Sequence, residues 1–95
     1  MTSKERATLR GFANTIEPCY YIGKEGITDA VITGIRGALT ARELIKVSVQ
    51  ETCPLTAREA CEELADMLGA EPVQAIGRKF VIYKRNREID AYGIR

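Results

Sequence analysis

The stretch Leu44-Ile45-Lys46-Val47-Ser48-Val49-Gln50 alternates strictly from Ile45 onward. Ile45, Val47 and Val49 share one face of an extended chain while Lys46, Ser48 and Gln50 share the other, the pattern of a half-buried β-strand. Segments of helical length flank this strand on both sides, and that narrows the folds open to the chain. Upstream, Cys19-Tyr20-Tyr21-Ile22 is a second short strand, aromatic and branched in character. Between the two runs a helix is expected from Thr28, a good N-cap, with Ile27, Val31, Gly34, Ile35, Ala38 and Leu39 on its buried side. A strand–helix–strand unit pairs its strands in parallel through a right-handed crossover. Gly34 and Gly37 each weaken that helix by roughly 1 kcal/mol relative to alanine. Gly34 lies on the apolar face, where close packing against a strand would explain it; Gly37 has no such excuse.

Downstream, Pro54 breaks the chain and Thr56-x-x-Glu59 forms a capping box. The helix it opens turns Ala57, Ala60, Cys61, Leu64 and Leu68 inward and Glu59, Glu62, Glu63 and Asp66 outward, and Gly69 closes it as a C-cap. Val73–Ile76 and Phe80–Tyr83 are two more strands, joined by the tight turn Gly77-Arg78-Lys79. At the other end of the chain, Thr2-x-x-Glu5 is a further capping box. It opens a helix with Leu9, Phe12, Ala13 and Ile16 at helical spacing, and Pro18 forbids its continuation. The order is helix, strand, helix, strand, helix, strand, strand. It predicts an α/β (α+β) domain with a four-stranded mixed sheet, spanning residues 1–87. Residues 88–95 show no periodicity and are expected to form a flexible C-terminal tail.

With 95 residues the chain has room for one domain, and 45% apolar with 28% charged residues is ordinary globular composition. No apolar run approaches the roughly 18–20 residues that span a bilayer, and no signal segment follows Met1, so the expected location is cytoplasmic. The three cysteines, Cys19, Cys53 and Cys61, show no Cys-x-x-Cys pairing, and histidine is absent. A zinc site is therefore not expected, and reduced cysteines acting as small hydrophobes are. Catalysis is not expected either. Gly23-Lys24-Glu25-Gly26 lacks the spacing and following lysine of a mononucleotide phosphate loop, and the dinucleotide fingerprint is missing. No cysteine has a histidine to activate it. Neither a cofactor nor a small-molecule substrate is implied.

The formal net charge of +1 conceals an uneven distribution. Six acids stand against the single Arg58 between Glu51 and Glu71, whereas five bases and no acid lie between Pro72 and Arg87. A basic edge of that kind can steer a polyanion although the total is near zero. It can equally be a solvated strand end whose charges prevent pairing with other sheets.

Gly23-Lys24-Glu25-Gly26 joins a strand to a helix. Glycines let another backbone approach closely, and the N–H groups of the loop and of the helix headed by Thr28 converge where the helix dipole favours an anion. Lys24 adds a mobile positive charge. Such a loop is either a plain tight turn or a clamp for a nucleotide backbone, a device known among RNA-binding modules. Tyr20, Tyr21 and Tyr83 could stack on bases, although tyrosines in strands commonly serve packing.

Leu9-Arg10-Gly11-Phe12-Ala13, Pro18 with Tyr21–Thr28, Glu43-Leu44-Ile45-Lys46-Val47, and Gln74–Lys84 together resemble the chloroplast RNA splicing and ribosome maturation (CRM) domain. The likeness is greatest to its stand-alone bacterial members, the YhbY-like ribosome assembly RNA-binding proteins, and covers about residues 4–85. It implies a fold similar to the C-terminal domain of translation initiation factor three, and association with ribosomal RNA in precursors of the large (50S) subunit. The family's Gly-x-x-Gly loop carries over onto Gly23, Lys24, Glu25 and Gly26, with Thr28 following. Its basic positions carry over onto Arg10, Lys46, Arg78 and Lys84, and charge clustering extends the expected patch to Lys79 and Arg85. Two residues depart from the family pattern: Asn14 stands where histidine is frequent, and Glu25 puts a carboxylate where a small, polar or basic residue is usual. Glu25 is expected to point away from RNA or to pair with Lys24. The expected molecule is a monomer that binds RNA and catalyses nothing. A different reading makes it a protein-interaction module that reaches the ribosome through the acidic face of Glu62, Glu63 and Asp66.

Overall fold

The computed structural model describes residues 1–93. Helix α1 (Ser3–Ala13) starts at the expected box: Thr2 accepts from the Glu5 amide while the Glu5 carboxylate accepts from the Thr2 amide. It ends before Ile16, so only Leu9 and Ala13 of the expected stripe are fully buried. Strand β1 (Pro18–Ile22) leads through the glycine loop to helix α2 (Asp29–Arg42), and strand β2 (Leu44–Val49) follows after one residue. Helix α3 (Ala57–Leu68) has a second reciprocal box between Thr56 and Glu59, and ends on Gly69 in the left-handed region at φ +64°. Strands β3 (Glu71–Ile76) and β4 (Lys79–Tyr83) complete the chain's regular structure. β3 begins two residues before the expected Val73 and so includes Pro72. It is an edge strand, the one place in a sheet where a missing N–H does little harm.

The four strands form a mixed sheet in the order β1-β2-β4-β3. β1 and β2 are parallel, as the strand–helix–strand unit requires, while β4 runs antiparallel to both β2 and β3. β4 therefore lies between β2 and β3, and the returning hairpin fills the centre of the sheet.

Two cores result, one on each face. Helices α2 and α3 cover the face carrying Ile22, Ile45, Val47, Val49, Phe80 and Ile82. Tyr20 belongs to this layer, and its ring explains Gly34: a Cβ there would stand 2.5 Å from Tyr20 Cε2. A Cβ at Gly37 would meet nothing within 4 Å beyond its chain neighbours and the helix's own backbone. On the opposite face α1 covers only part of the sheet, burying Leu9 and Ala13 against Leu44, Val73, Val81 and Tyr83. Leu44 thus gives β2 a buried residue on the face that alternation alone assigns to Lys46 and Ser48.

The last described residues lie against this smaller core. Glu43 is completely buried at a φ of +63° between α2 and β2. Its carboxylate accepts from the amides of Asn86 (2.7 Å) and Ala91 (2.5 Å), and its carbonyl accepts from the Lys84 amide. Tyr92 then meets Phe12 and Tyr83 edge-on, at ring-centroid distances of 5.0 and 6.3 Å. Phe12, which helical spacing places toward the core, keeps 46% of its surface exposed beside that ring. Burial, and then the nearby Glu43, raises the pKa of the Tyr83 phenol above its ordinary value.

Candidate nucleic-acid interface

β1 and β2 end side by side, and the Gln50 amide extends their pairing by donating to the Ile22 carbonyl at 2.8 Å. The Gln50 side chain lies over Gly23, where a Cβ would approach its Oε1 to 2.8 Å. The chain then turns tightly, with the Gly26 amide donating to the Gly23 carbonyl at 3.0 Å. Gly26 adopts φ +69° against the Pro54 ring, a conformation that costs a side-chain-bearing residue about 1 kcal/mol or more. The turn itself thus requires a glycine at Gly26 for its dihedral angle, whereas a side chain at Gly23 would meet only the far end of the exposed Gln50 side chain, which can swing aside.

Lys24 and Glu25 stand exposed at the tip. Among the described residues their backbone amides have no hydrogen-bond partner, and Glu25 forms no ion pair with Lys24. The helix end contributes less than its position promises. Thr28 accepts from the Val31 amide at 3.2 Å, and Asp29 already brings a carboxylate into the first turn. Both satisfy the helix N-terminus from within the chain. What the loop offers an anion is chiefly the pair of amides at its tip and the Lys24 ammonium.

The β3–β4 turn sits at the same end of the sheet. Gly77 takes φ +60°, and the Arg78 carbonyl accepts from the Val49 amide at 2.6 Å, which holds the turn against the end of β2. Arg78 lies 3.5 Å from Glu51. Both side chains are largely exposed, so that pair is weak and easily exchanged for another anion. Lys79 begins β4 beside Ser48, and Lys46 lies opposite Val81 one row further from the loops. Arg10 is one helical turn beyond Arg6, whose Nε donates to the Pro72 carbonyl of β3 at 3.1 Å.

Lys84 and Arg85 are elsewhere. They follow the other end of β4, about 17 Å from Lys79 at the rise of an extended strand. Lys84 Nζ donates to the Leu68 carbonyl at 2.7 Å and so finishes the C-terminus of α3. Arg85 pairs with Asp90 at 3.8 Å. The structure therefore brings Gly23–Gly26, Arg78 and Lys79 together, sets Lys46 and Arg10 behind them on the α1 face, and separates Lys84 and Arg85. α3, with Glu62, Glu63 and Asp66, lies on the opposite face of the sheet.

The family model described as the CRS1/YhbY (CRM) domain matches residues 1–84. A Bacillus subtilis protein named "Probable RNA-binding protein YqeI" is 39% identical over 88 residues, covering 93% of this chain and 92% of its own. A Haemophilus influenzae protein named "RNA-binding protein" is 31% identical, with 93% and 89% covered. The solution structure of SAV1595 from Staphylococcus aureus superposes with a TM-score of 0.70 at 38% identity, and 90% of each chain is matched.

Proposed function

The chain belongs to the CRS1/YhbY (CRM) domain family, and we propose that it binds RNA with the end of the sheet that carries Gly23–Gly26. The observation carrying this reading is the meeting, at one rim, of the uncommitted Lys24 and Glu25 amides with the Arg78 and Lys79 side chains. Phosphate oxygens accept from both kinds of donor. Lys46 and Arg10 extend the contact along the sheet. Lys84 and Arg85 serve the fold at the far end. Glu62, Glu63 and Asp66 belong to α3, on the sheet face opposite Lys46 and Lys79, so a polyanion lying over those lysines has these carboxylates behind the sheet.

The names of the relatives support RNA as the partner, and the family resemblance supports ribosomal RNA in large-subunit precursors as its source. The chain acts there as a monomeric cytoplasmic assembly factor without chemistry of its own. Contacts fall mainly on phosphate and sugar, and RNA shape sets the choice of site. If about four bases each neutralise a phosphate, log affinity falls against log salt with a slope of roughly −3 to −4. The test combines Lys24→Ala with Gly26→Asp. Binding to ribosomal RNA should collapse while the circular dichroism spectrum is preserved; a folded double variant with unchanged affinity refutes the loop's role. Charge reversal of Glu62, Glu63 and Asp66 should leave RNA binding intact or strengthen it. Crosslinking in cells, with sequencing of the attached RNA, identifies the particle bound.

A further inference from the structure

α1 leaves the loop-proximal half of its sheet face without a helix over it. The register aligns Tyr21 of β1 with Ser48 of β2, Ser48 with Lys79 of β4, and Lys79 with Ile76 of β3. Residues opposite one another in a sheet point to the same side, so these four side chains form one row across all four strands. At about 4.8 Å per strand the row is roughly 14 Å long. Tyr21 is 58% and Ile76 69% exposed at its two ends. The neighbouring row contributes Lys46, and no carboxylate occupies either row.

Tyr21 differs from the other strand tyrosines. Tyr20 packs under α2 and its hydroxyl donates to the Ala30 carbonyl, while Tyr83 is 3% exposed in the smaller core. The Tyr21 side chain has no hydrogen bond and no aromatic neighbour among the described residues, and the residue lies two before Gly23. A large ring left open in a row that is otherwise hydroxyl, ammonium and aliphatic is a stacking surface next to cations. An unpaired nucleobase fits that chemistry, because every base has a π-face and a phosphate attached. Duplex RNA does not fit it, since its bases are already stacked on one another.

We propose that Tyr21 is a base-stacking residue, and that the row Tyr21–Ser48–Lys79–Ile76 is a platform for unpaired nucleotides whose phosphates meet Lys46 and Lys79. This rests on the RNA-binding reading above and adds to it a preference for single-stranded segments beside the gripped backbone. The two ideas separate in one set of titrations with the full chain, using a single-stranded oligouridylate and a duplex RNA of equal length. Tyr21→Ala should weaken the single-stranded probe roughly 5- to 100-fold, as expected for the loss of one stacked base, and change duplex affinity less than twofold. Tyr21→Phe should keep the wild-type values. The chain has no tryptophan, so Tyr21→Trp supplies a unique fluorophore that the oligouridylate should quench and the duplex should not. Equal losses on both probes, or none on either, overturn the platform while leaving the loop's role standing. A wild-type chain that binds neither probe overturns both. Sedimentation tests the remaining occupant: a wild-type dimer that Tyr21→Ala dissociates, with RNA affinity unchanged, would make this face a contact between copies and overturn the proposal.

Discussion

Glu43→Ala should be among the most damaging single substitutions in this chain, although it touches none of the residues proposed to meet RNA. The carboxylate is fully buried and accepts two backbone amides, from Asn86 and Ala91. Hydrogen bonds to a charged group contribute roughly 1.5–3 kcal/mol each, and their loss leaves two donors facing a methyl group. Alanine also keeps the cost of a φ of +63°. A loss of about 3–5 kcal/mol follows, unless residues 86–93 simply detach and cap the penalty at their own docking energy. In a domain of this size 1 kcal/mol corresponds to about 4–8 °C in the melting temperature, so the midpoint should fall by at least ~12 °C. Thermal unfolding followed by circular dichroism measures the first outcome. Amide hydrogen exchange at Asn86 and Ala91 measures the second, because detachment removes their protection without global unfolding. Glu43→Gly should recover about 1 kcal/mol relative to alanine by accepting the dihedral angle. A Glu43→Ala variant as stable as the wild type to within about 1 kcal/mol, with Ala91 still protected, would show that the buried carboxylate does not hold this end of the chain.

The two glycines of α2 should respond in opposite directions to alanine. Gly37→Ala gains helix propensity in open space and should stabilise by about 0.5–1 kcal/mol in denaturant titration. Gly34→Ala meets the Tyr20 ring and should instead lose about 1–2 kcal/mol, with the Tyr20–Ala30 hydrogen bond broken. Burial, and then Glu62, pushes the Cys61 thiol up to about 11 from an ordinary value of 9.0. The folded state thus holds that proton more tightly than the unfolded chain does. This thiol's contribution to stability should be full below pH 9 and fade as pH rises toward 11, and Cys61→Ala should remove its share of the alkaline decline while leaving that of Tyr83. Alkylation at pH 8 followed by mass spectrometry should accordingly label Cys61 last of the three thiols.

The periodic parts of the fold were legible because local chemistry decides them. Thr2 and Thr56 cap helices with the glutamates three residues on, Gly69 ends α3, and alternation places Ile45, Val47 and Val49 without knowledge of the rest of the chain. Gly34 announced a close approach that Tyr20 supplies. The candidate site was less legible. Lys79 and Lys84 are near neighbours in sequence, yet an extended strand carries them to opposite ends of the sheet, so a run of bases is not a patch of bases. Thr28 was readable as a cap, which is the very reason the helix end has less to offer an anion. Glu43 could not be read at all, since its amide partners lie 43 and 48 residues further along the chain. Nor did anything near Phe12 announce that Tyr92 would meet its ring.

The smaller core, closed by α1 and Tyr92, gathers both ends of the described chain. The N-terminal amino group lies 3.9 Å from Glu71 at the start of β3, and Tyr92 rests on Phe12 and Tyr83. Both are at the pole of the sheet away from Gly23–Gly26. The far pole thus bears the contacts of Met1 and Tyr92, and the rim of Gly23–Gly26 bears neither. A substitution that loosens the Tyr92 contact should therefore unsettle the far pole of the domain while the turn at Gly23–Gly26 keeps its geometry.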